Sequence, residues 1–176
     1  PGYNRLEATI YDSTSGEKIA HVEDYRFFRF EGALQMSLMQ PTENVQGWGD
    51  LHVNSTVEGN AFTLSGKKFP EGFGTHAPSR TIFDIRGEFK RFTATIGLDE
   101  ESLCSDGISY KILGDGKILG QNARLTPGKI DTLDIPVQGV HRLAIVTDSL
   151  SSKDCDHVDL VLPTLYPETK TNPKSK

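Results

Sequence analysis

Three short stretches of this chain carry side chains able to do chemistry. His76 sits between Gly74 and Pro78, where glycine makes the backbone permissive and proline makes it stiff, so the ring is presented at a fixed angle. An imidazole both donates and accepts hydrogen bonds, which suits a ligand rich in hydroxyls. Trp48, the only tryptophan, lies in Gln46-Gly47-Trp48-Gly49-Asp50. The two glycines remove neighbouring side chains and leave the indole face open to an apolar ring face, such as the C–H side of a pyranose. Asp50 stands beside it as a hydroxyl acceptor. Asp156, His157 and Asp159 form the third stretch. In a strand, His157 and Asp159 share a face, while Asp156 sits at the strand entrance. Ionised carboxylates make the stronger bonds to hydroxyl donors. Each stretch also has a plainer reading. His76 could brace its own loop, Trp48 could be core, since tryptophans are highly buried on average, and 156–159 could be a solvated loop closing a strand.

A fourth cluster is acidic: Asp99, Glu100, Glu101 and Asp106, with Asp154 and Asp156 joining if the chain brings the two segments together. Several carboxylate and carbonyl oxygens are what calcium requires. Asp99, Glu100, Asp106, Asp154 and Asp156 are therefore a candidate structural calcium set. The spacing lacks the central glycine of an EF-hand loop, and a solvated acidic patch is the reading the bare spacing favours. The two cysteines, Cys104 and Cys155, lie in these same polar segments rather than among apolar residues. A disulfide is the expectation in an oxidising compartment, with two unrelated free thiols as the alternative. No Cys-x-x-Cys spacing suggests zinc. There is no Gly-x-Ser-x-Gly elbow and no phosphate-binding glycine loop. Paired carboxylates for glycoside hydrolysis need a deep cleft between them, which a thin sandwich rarely supplies. The expectation is a chain that is not an enzyme.

The elements that must hold these residues read as strands. Phe92, Ala94 and Ile96 alternate with Arg91, Thr93 and Thr95, and Ile108, Tyr110 and Ile112 alternate with Ser109 and Lys111. Ile130, Leu133 and Ile135 alternate with one slip. Leu143 to Val146 and Val158 to Leu162 are more continuously apolar, which marks central strands. Gly114-Asp115-Gly116-Lys117 is a hairpin signal. Turns are expected at Thr126 to Lys129 and Val137 to Val140. Near the start, Leu6 to Tyr11 and Lys18 to Val22 read as a strand and its return around a turn at Ser13 to Gly16. Phe27, Phe28 and Phe30 demand burial, and Glu31 to Met39 leaves room for a turn or two of helix. Many short strands with regular turns predict an all-β chain, a β-sandwich or jelly roll.

The 176 residues suit one domain, and 36% hydrophobic content suits a thin two-layer β fold. A net charge of −5 argues against a nucleic-acid partner and an anionic membrane surface. No apolar run approaches the ~20 residues that span a bilayer, so no membrane insertion is expected. The chain opens at Pro1 with no leader pattern, which reads as an excised module or mature fragment. Residues 1–166 are expected to form one module, with 1–43 as extra strands on the core of 44–166. Forty-odd residues rarely hold a core of their own. Residues 167–176 have linker composition.

Four pieces occur in a fixed order. They are Lys67-Lys68-Phe69-Pro70-Glu71-Gly72-Phe73-Gly74-Thr75-His76-Ala77-Pro78-Ser79, then Phe89 to Glu100, then Tyr110 to Lys117, then Cys155-Asp156-His157-Val158-Asp159. This set resembles the NPCBM domain, grouped as carbohydrate-binding module family 51, over roughly Asn44 to Tyr166. The resemblance implies a galactose-binding-like β-sandwich, attached in one parent chain to a secreted or cell-surface glycoside hydrolase such as those of family 98. It implies a non-catalytic, lectin-like role on terminal galactose or N-acetylgalactosamine of host-type, blood-group-like glycans. The Gly-Trp-Gly element and the His76 loop match the family, which implies sugar contacts at Trp48, Asp50, His76, His157 and Asp159. Leu160 stands where the family pattern has Trp, implying altered ligand preference or altered packing.

Two rivals follow from the same residues. One is a structural or protein-interaction module whose sugar site has decayed, with Leu160 as its support. The other is a small metal-dependent hydrolase built on His76, His157 and Asp159.

Overall fold

A computed structural model describes residues 2–11, 18–28 and 32–167. The turn expected at Ser13 to Gly16, the burial expected of Phe27, Phe28 and Phe30, and the tail beyond Pro167 lie outside what is described. The strands in chain order are β1 (Gly2–Tyr11), β2 (Lys18–Phe28), β3 (Leu34–Gln35), β4 (Glu43–Gln46), β5 (His52–Val53), β6 (Thr63–Leu64), β7 (Lys67–Lys68) and β8 (Gly72–His76). They continue as β9 (Ser79–Asp84), β10 (Phe89–Leu98), β11 (Ile108–Gly114), β12 (Lys117–Leu125), β13 (Ile130–Pro136), β14 (Arg142–Ser149) and β15 (His157–Pro167). The helix left open at Glu31 to Met39 is a single 3-10 turn at Met36–Leu38. Among the described residues no helix is long and apolar enough to cross a membrane.

The chain divides into two units, 1–32 and 33–176. The first is an antiparallel hairpin of β1 and β2, with Gly2 opposite Phe28, formed by the strand and return that the alternation indicates. The second is a β-sandwich. Leu34 and Met36 are buried in it, so its core starts about ten residues before the boundary expected at Asn44, and β3 pairs with β15.

One sheet runs β13-β10-β15-β8-β5, with β3 also on β15, and the other runs β12-β11-β14-β9-β4. All pairings within them are antiparallel. Phe92, Ala94, Ile96 and Leu98 of β10 and Ile108, Tyr110 and Ile112 of β11 are buried, as their period of two dictates. Asp115 and Gly116 take φ of 48° and 82°, the two positive values a tight hairpin turn needs. The expected turns at Thr126 to Lys129 and Val137 to Val140 close with N–H···O bonds of 3.1 and 3.0 Å.

β15 departs from simple alternation. Its first five residues, His157 to Val161, are all buried. The inner face packs on the second sheet. The outer face is covered by the segment between β5 and β8, whose Phe62 and Leu64 form a satellite cluster with Val161. Gly74 permits this cover, because a Cβ there would overlap the backbone of Ser55 and Thr56.

Candidate functional site

Several connections at one end of the sandwich carry the chain from one sheet to the other. β4 leads to β5 through 47–51, β8 to β9 through Ala77 and Pro78, β10 to β11 through 99–107, and β14 to β15 through 150–156. The strand ends are in register there: His76 pairs with His157, Gln46 with Ser79, and Ile108 with Ser149. Residues far apart in sequence thus meet at one rim.

The Trp48 loop is docked on the corner between β8 and β9. Gly47 N–H donates to the Pro78 carbonyl at 2.8 Å, and a Cβ on Gly47 would come within 2.8 Å of the Pro78 ring. Gly49 turns the chain back with φ of 64°, and Gln46 Nε2 donates to the Trp48 carbonyl at 2.8 Å. The glycines therefore do more than clear the indole face; they let the loop approach its support. The indole is 51% exposed. It stacks on His157 with centroids 5.8 Å apart and planes 7° from parallel. It meets His76 edge-on at 5.5 Å, and the two imidazoles are 5.4 Å apart. Together they line an open pocket of about 260 Å³, completed by Gly47, Glu58, Lys153, Asp154 and Cys155.

His76 is 5% exposed and its Nδ1 is sealed off without a partner. Burial holds its pKa below the ordinary imidazole value; His157 and Lys153 add to the depression, while the Ala77 backbone and Asp156 oppose it. The neutral ring is thus the form the fold favours. His157 Nδ1 lies 3.3 Å from Glu101 Oε1 and its Nε2 lies 3.9 Å from Glu58 Oε1.

Of the five residues expected to contact a ligand, Trp48, His76 and His157 come together in this pocket. Asp50 is exposed but does not line it. Asp159 shares the outer face of β15 with His157, as its spacing requires, yet it is completely buried. Its register partner Gly74 lies directly under the backbone of Ser55 and Thr56, which closes that side of the sheet, and Asp159 does not line the pocket. Burial first, then Asp99 and Glu101, push its pKa well above the usual carboxylate range.

Cys104 and Cys155 are joined, with Cα atoms 5.5 Å apart, and tie the 99–107 and 150–156 loops together. The acidic residues of these loops serve as ties rather than as a cation cage. Asp99 accepts from the N–H groups of Thr63 and Glu101 at 2.8 and 2.9 Å, and Glu100 accepts from Gly66 N–H. Asp106 accepts from Ser151 N–H, and Asp156 from the Ser105 hydroxyl. Asp154 lines the pocket instead. Among the described residues no group of three or more His, Cys, Asp or Glu is arranged to hold a metal ion, so Asp99, Glu100, Asp106, Asp154 and Asp156 as placed do not fit calcium.

Glu58 and Lys153 have no chemical signature in the sequence. Lys153 was within reach only through its neighbours Asp154 and Cys155, and Glu58 only through the chain reversal at Gly59, where φ is 86°. Leu160, the departure from the family pattern, is 5% exposed and paired in register with Phe73. It belongs to the core and does not line the pocket.

The NPCBM/NEW2 domain family matches residues 32–166. An inferred endo-alpha-N-acetylgalactosaminidase of Renibacterium salmoninarum is 27% identical over 100 residues, which are 53% of this chain and 7% of that protein. The matched part is thus a small fraction of that relative's length. Among solved structures, the family 51 carbohydrate-binding module of a Clostridium perfringens family 95 glycoside hydrolase, in complex with methyl-galactose, superposes with a TM-score of 0.71 at 22% identity, covering 76% of this chain and 99% of that one. The second family 51 module of Clostridium perfringens ZmpB, in complex with GlcNAc, gives a TM-score of 0.71 at 18% identity over 93% of this chain and 37% of that one. These likenesses establish the galactose-binding-like sandwich.

Proposed function

The chain belongs to the NPCBM/NEW2 domain family, and from that premise we propose that it is a non-catalytic module holding a terminal galactose or N-acetylgalactosamine in the pocket of Trp48, His76 and His157. The observation that carries this is the half-exposed indole stacked on His157 beside a buried, neutral-favoured His76. An aromatic face open to solvent takes the C–H side of a pyranose, and imidazole nitrogens at its edge take the hydroxyls. The methyl-galactose in a relative of the same fold favours galactose among the sugars, and the GlcNAc in another makes it the competitor to test. Glu58 and Asp154 are both solvent-exposed, and neither is paired with a buried acid in the pocket, which supports holding over cutting. The rival structural role rests on Leu160, which lies away from the pocket.

The module would tether a glycoside hydrolase domain of the same parent chain to glycans outside the cell, where its disulfide is stable. Glycan-array screening followed by calorimetry tests this. Binding of galactosides or N-acetylgalactosaminides above GlcNAc is expected. Folded protein that binds no galactose-type glycan would overturn the proposal.

A further inference from the structure

We propose that Glu101 is a positioning residue that sets the tautomer and plane of His157, turning the Nε2 lone pair of His157 toward the pocket so that it selects a ligand hydroxyl that donates; this rests on the sugar-binding reading above. His157 Nδ1 and Glu101 Oε1 lie 3.3 Å apart. Their alignment is not that of an ideal hydrogen bond, yet both atoms are sealed from solvent and neither has another partner. Buried polar atoms are paired in nearly all folded proteins. A carboxylate only accepts, so the proton between these two sits on Nδ1. In a neutral imidazole the remaining nitrogen, Nε2, is then an acceptor.

Glu101 is itself held on two sides. Its Oε2 accepts from Asn60 Nδ2 at 2.8 Å, and its backbone N–H donates to Asp99 Oδ1 at 2.9 Å. The same loop grips the backbone of His157: Asp99 N–H and Ser102 Oγ donate to the His157 carbonyl at 3.1 and 3.0 Å. The backbone of His157 is thus held by the same segment that carries Glu101, and the imidazole lies parallel to the indole.

Glu58 is the competing carboxylate, on the Nε2 side. It lies farther off, at 3.9 Å, and its side chain is 47% exposed against 21% for Glu101. Water screens the exposed charge more than the buried one, so the Nδ1 side wins the proton. Glu58 cannot donate to the Nε2 lone pair and leaves it for a ligand.

The test combines the tautomer of His157, read from long-range ¹⁵N–¹H correlation of histidine-labelled protein at about pH 8, above the ordinary imidazole range, with calorimetry on a methyl galactoside. The wild-type chain should show Nδ1–H with bare Nε2. Glu101→Gln keeps a carbonyl acceptor, so the tautomer should persist with affinity within about threefold. Glu101→Ala should give mixed tautomers and roughly tenfold weaker binding, the scale of one lost hydrogen bond. An Nε2–H tautomer in the wild type would overturn the proposal, as would a folded Glu101→Ala with unchanged tautomer and affinity. If Glu101→Ala does not fold, the wild-type and Glu101→Gln spectra decide. If the wild type binds no galactoside, the sugar reading fails, while the tautomer still decides what Glu101 does.

Discussion

The two ends of the sandwich are built on different principles. At the end away from the pocket, the connections are tied to one another through backbone groups. Ile85 N–H donates to the His141 carbonyl and Gly87 N–H to that of Val140, both at 2.7 Å. The Asp115 carboxylate accepts from the N–H groups of Arg142 at 2.8 Å and His141 at 3.1 Å. Those bonds hold its pKa below the usual carboxylate range. At the pocket end, buried polar atoms are left over: Nδ1 of His76 and Oδ2 of Asp156. A fold that only had to be stable would not gather such atoms in one place. The difference separates turns that shape the chain from loops that are organised around something else.

The largest expected effect tests how the pocket end is held. Replacing Cys104 and Cys155 by serine opens a 51-residue closure, and loop-closure entropy puts the loss near 4 kcal/mol at most. Urea denaturation of the double variant measures it. A loss below about 1 kcal/mol would show that the loop hydrogen bonds alone hold the rim.

Trp48→Ala separates binding from stability. With the indole half exposed, galactoside affinity should fall by ~1–3 kcal/mol while stability changes by less than about 0.5 kcal/mol. Lost binding together with a lowered Tm would make Trp48 part of the framework, and the contrast between the two ends would weaken.

Asp159 gives that contrast a pH axis. Its pKa is raised in the folded protein, so the folded state keeps a proton that the unfolded chain releases near pH ~4. The stability this contributes is present below that point and is lost as pH rises toward the folded value. Asp159→Asn should flatten the fall in stability above about pH 4 and leave the variant more stable by about 1 kcal/mol near neutrality. Denaturation curves from acid to neutral pH check this; an unchanged slope would assign the titration to another group.

Asp115→Ala is the control at the far end. It removes the acceptor of two backbone N–H groups, at a cost of about 1 kcal/mol, and should leave glycan affinity unchanged. A loss of affinity would mean that the two ends are coupled. The smallest effect is expected from acidification of the pocket. Because burial depresses the His76 pKa, binding should hold constant down to the ordinary imidazole value of ~6.5 and weaken only below it, with a His76→Ala variant losing that dependence. Weakening that begins at higher pH would contradict a desolvated, neutral His76.

Much of the framework was legible because strand signals are local. The alternation through Phe92, Ala94 and Ile96, the Asp115-Gly116 turn and the continuous run at Val158 each need only a few neighbours to be read. Asp159 was misplaced because parity gives the face of a strand and not what covers that face; the cover comes from Ser55 and Thr56 over its register partner Gly74, about a hundred residues earlier in the chain. The acidic residues looked like a cation set because composition counts carboxylates and not the N–H groups they already bind.

The sequence by itself determined the class of fold, the strands and turns, and the residue types a sugar site needs, since periodicity, turn chemistry and side-chain chemistry are properties of short stretches. The tertiary structure alone decided that Trp48, His76 and His157 share a pocket, that Glu58, Lys153 and Glu101 attend it, and that Asp159 does not. Those outcomes depend on antiparallel register and on where the chain crosses between sheets. Both are set by contacts between distant residues, and a one-residue slip in either would have turned different side chains to the rim.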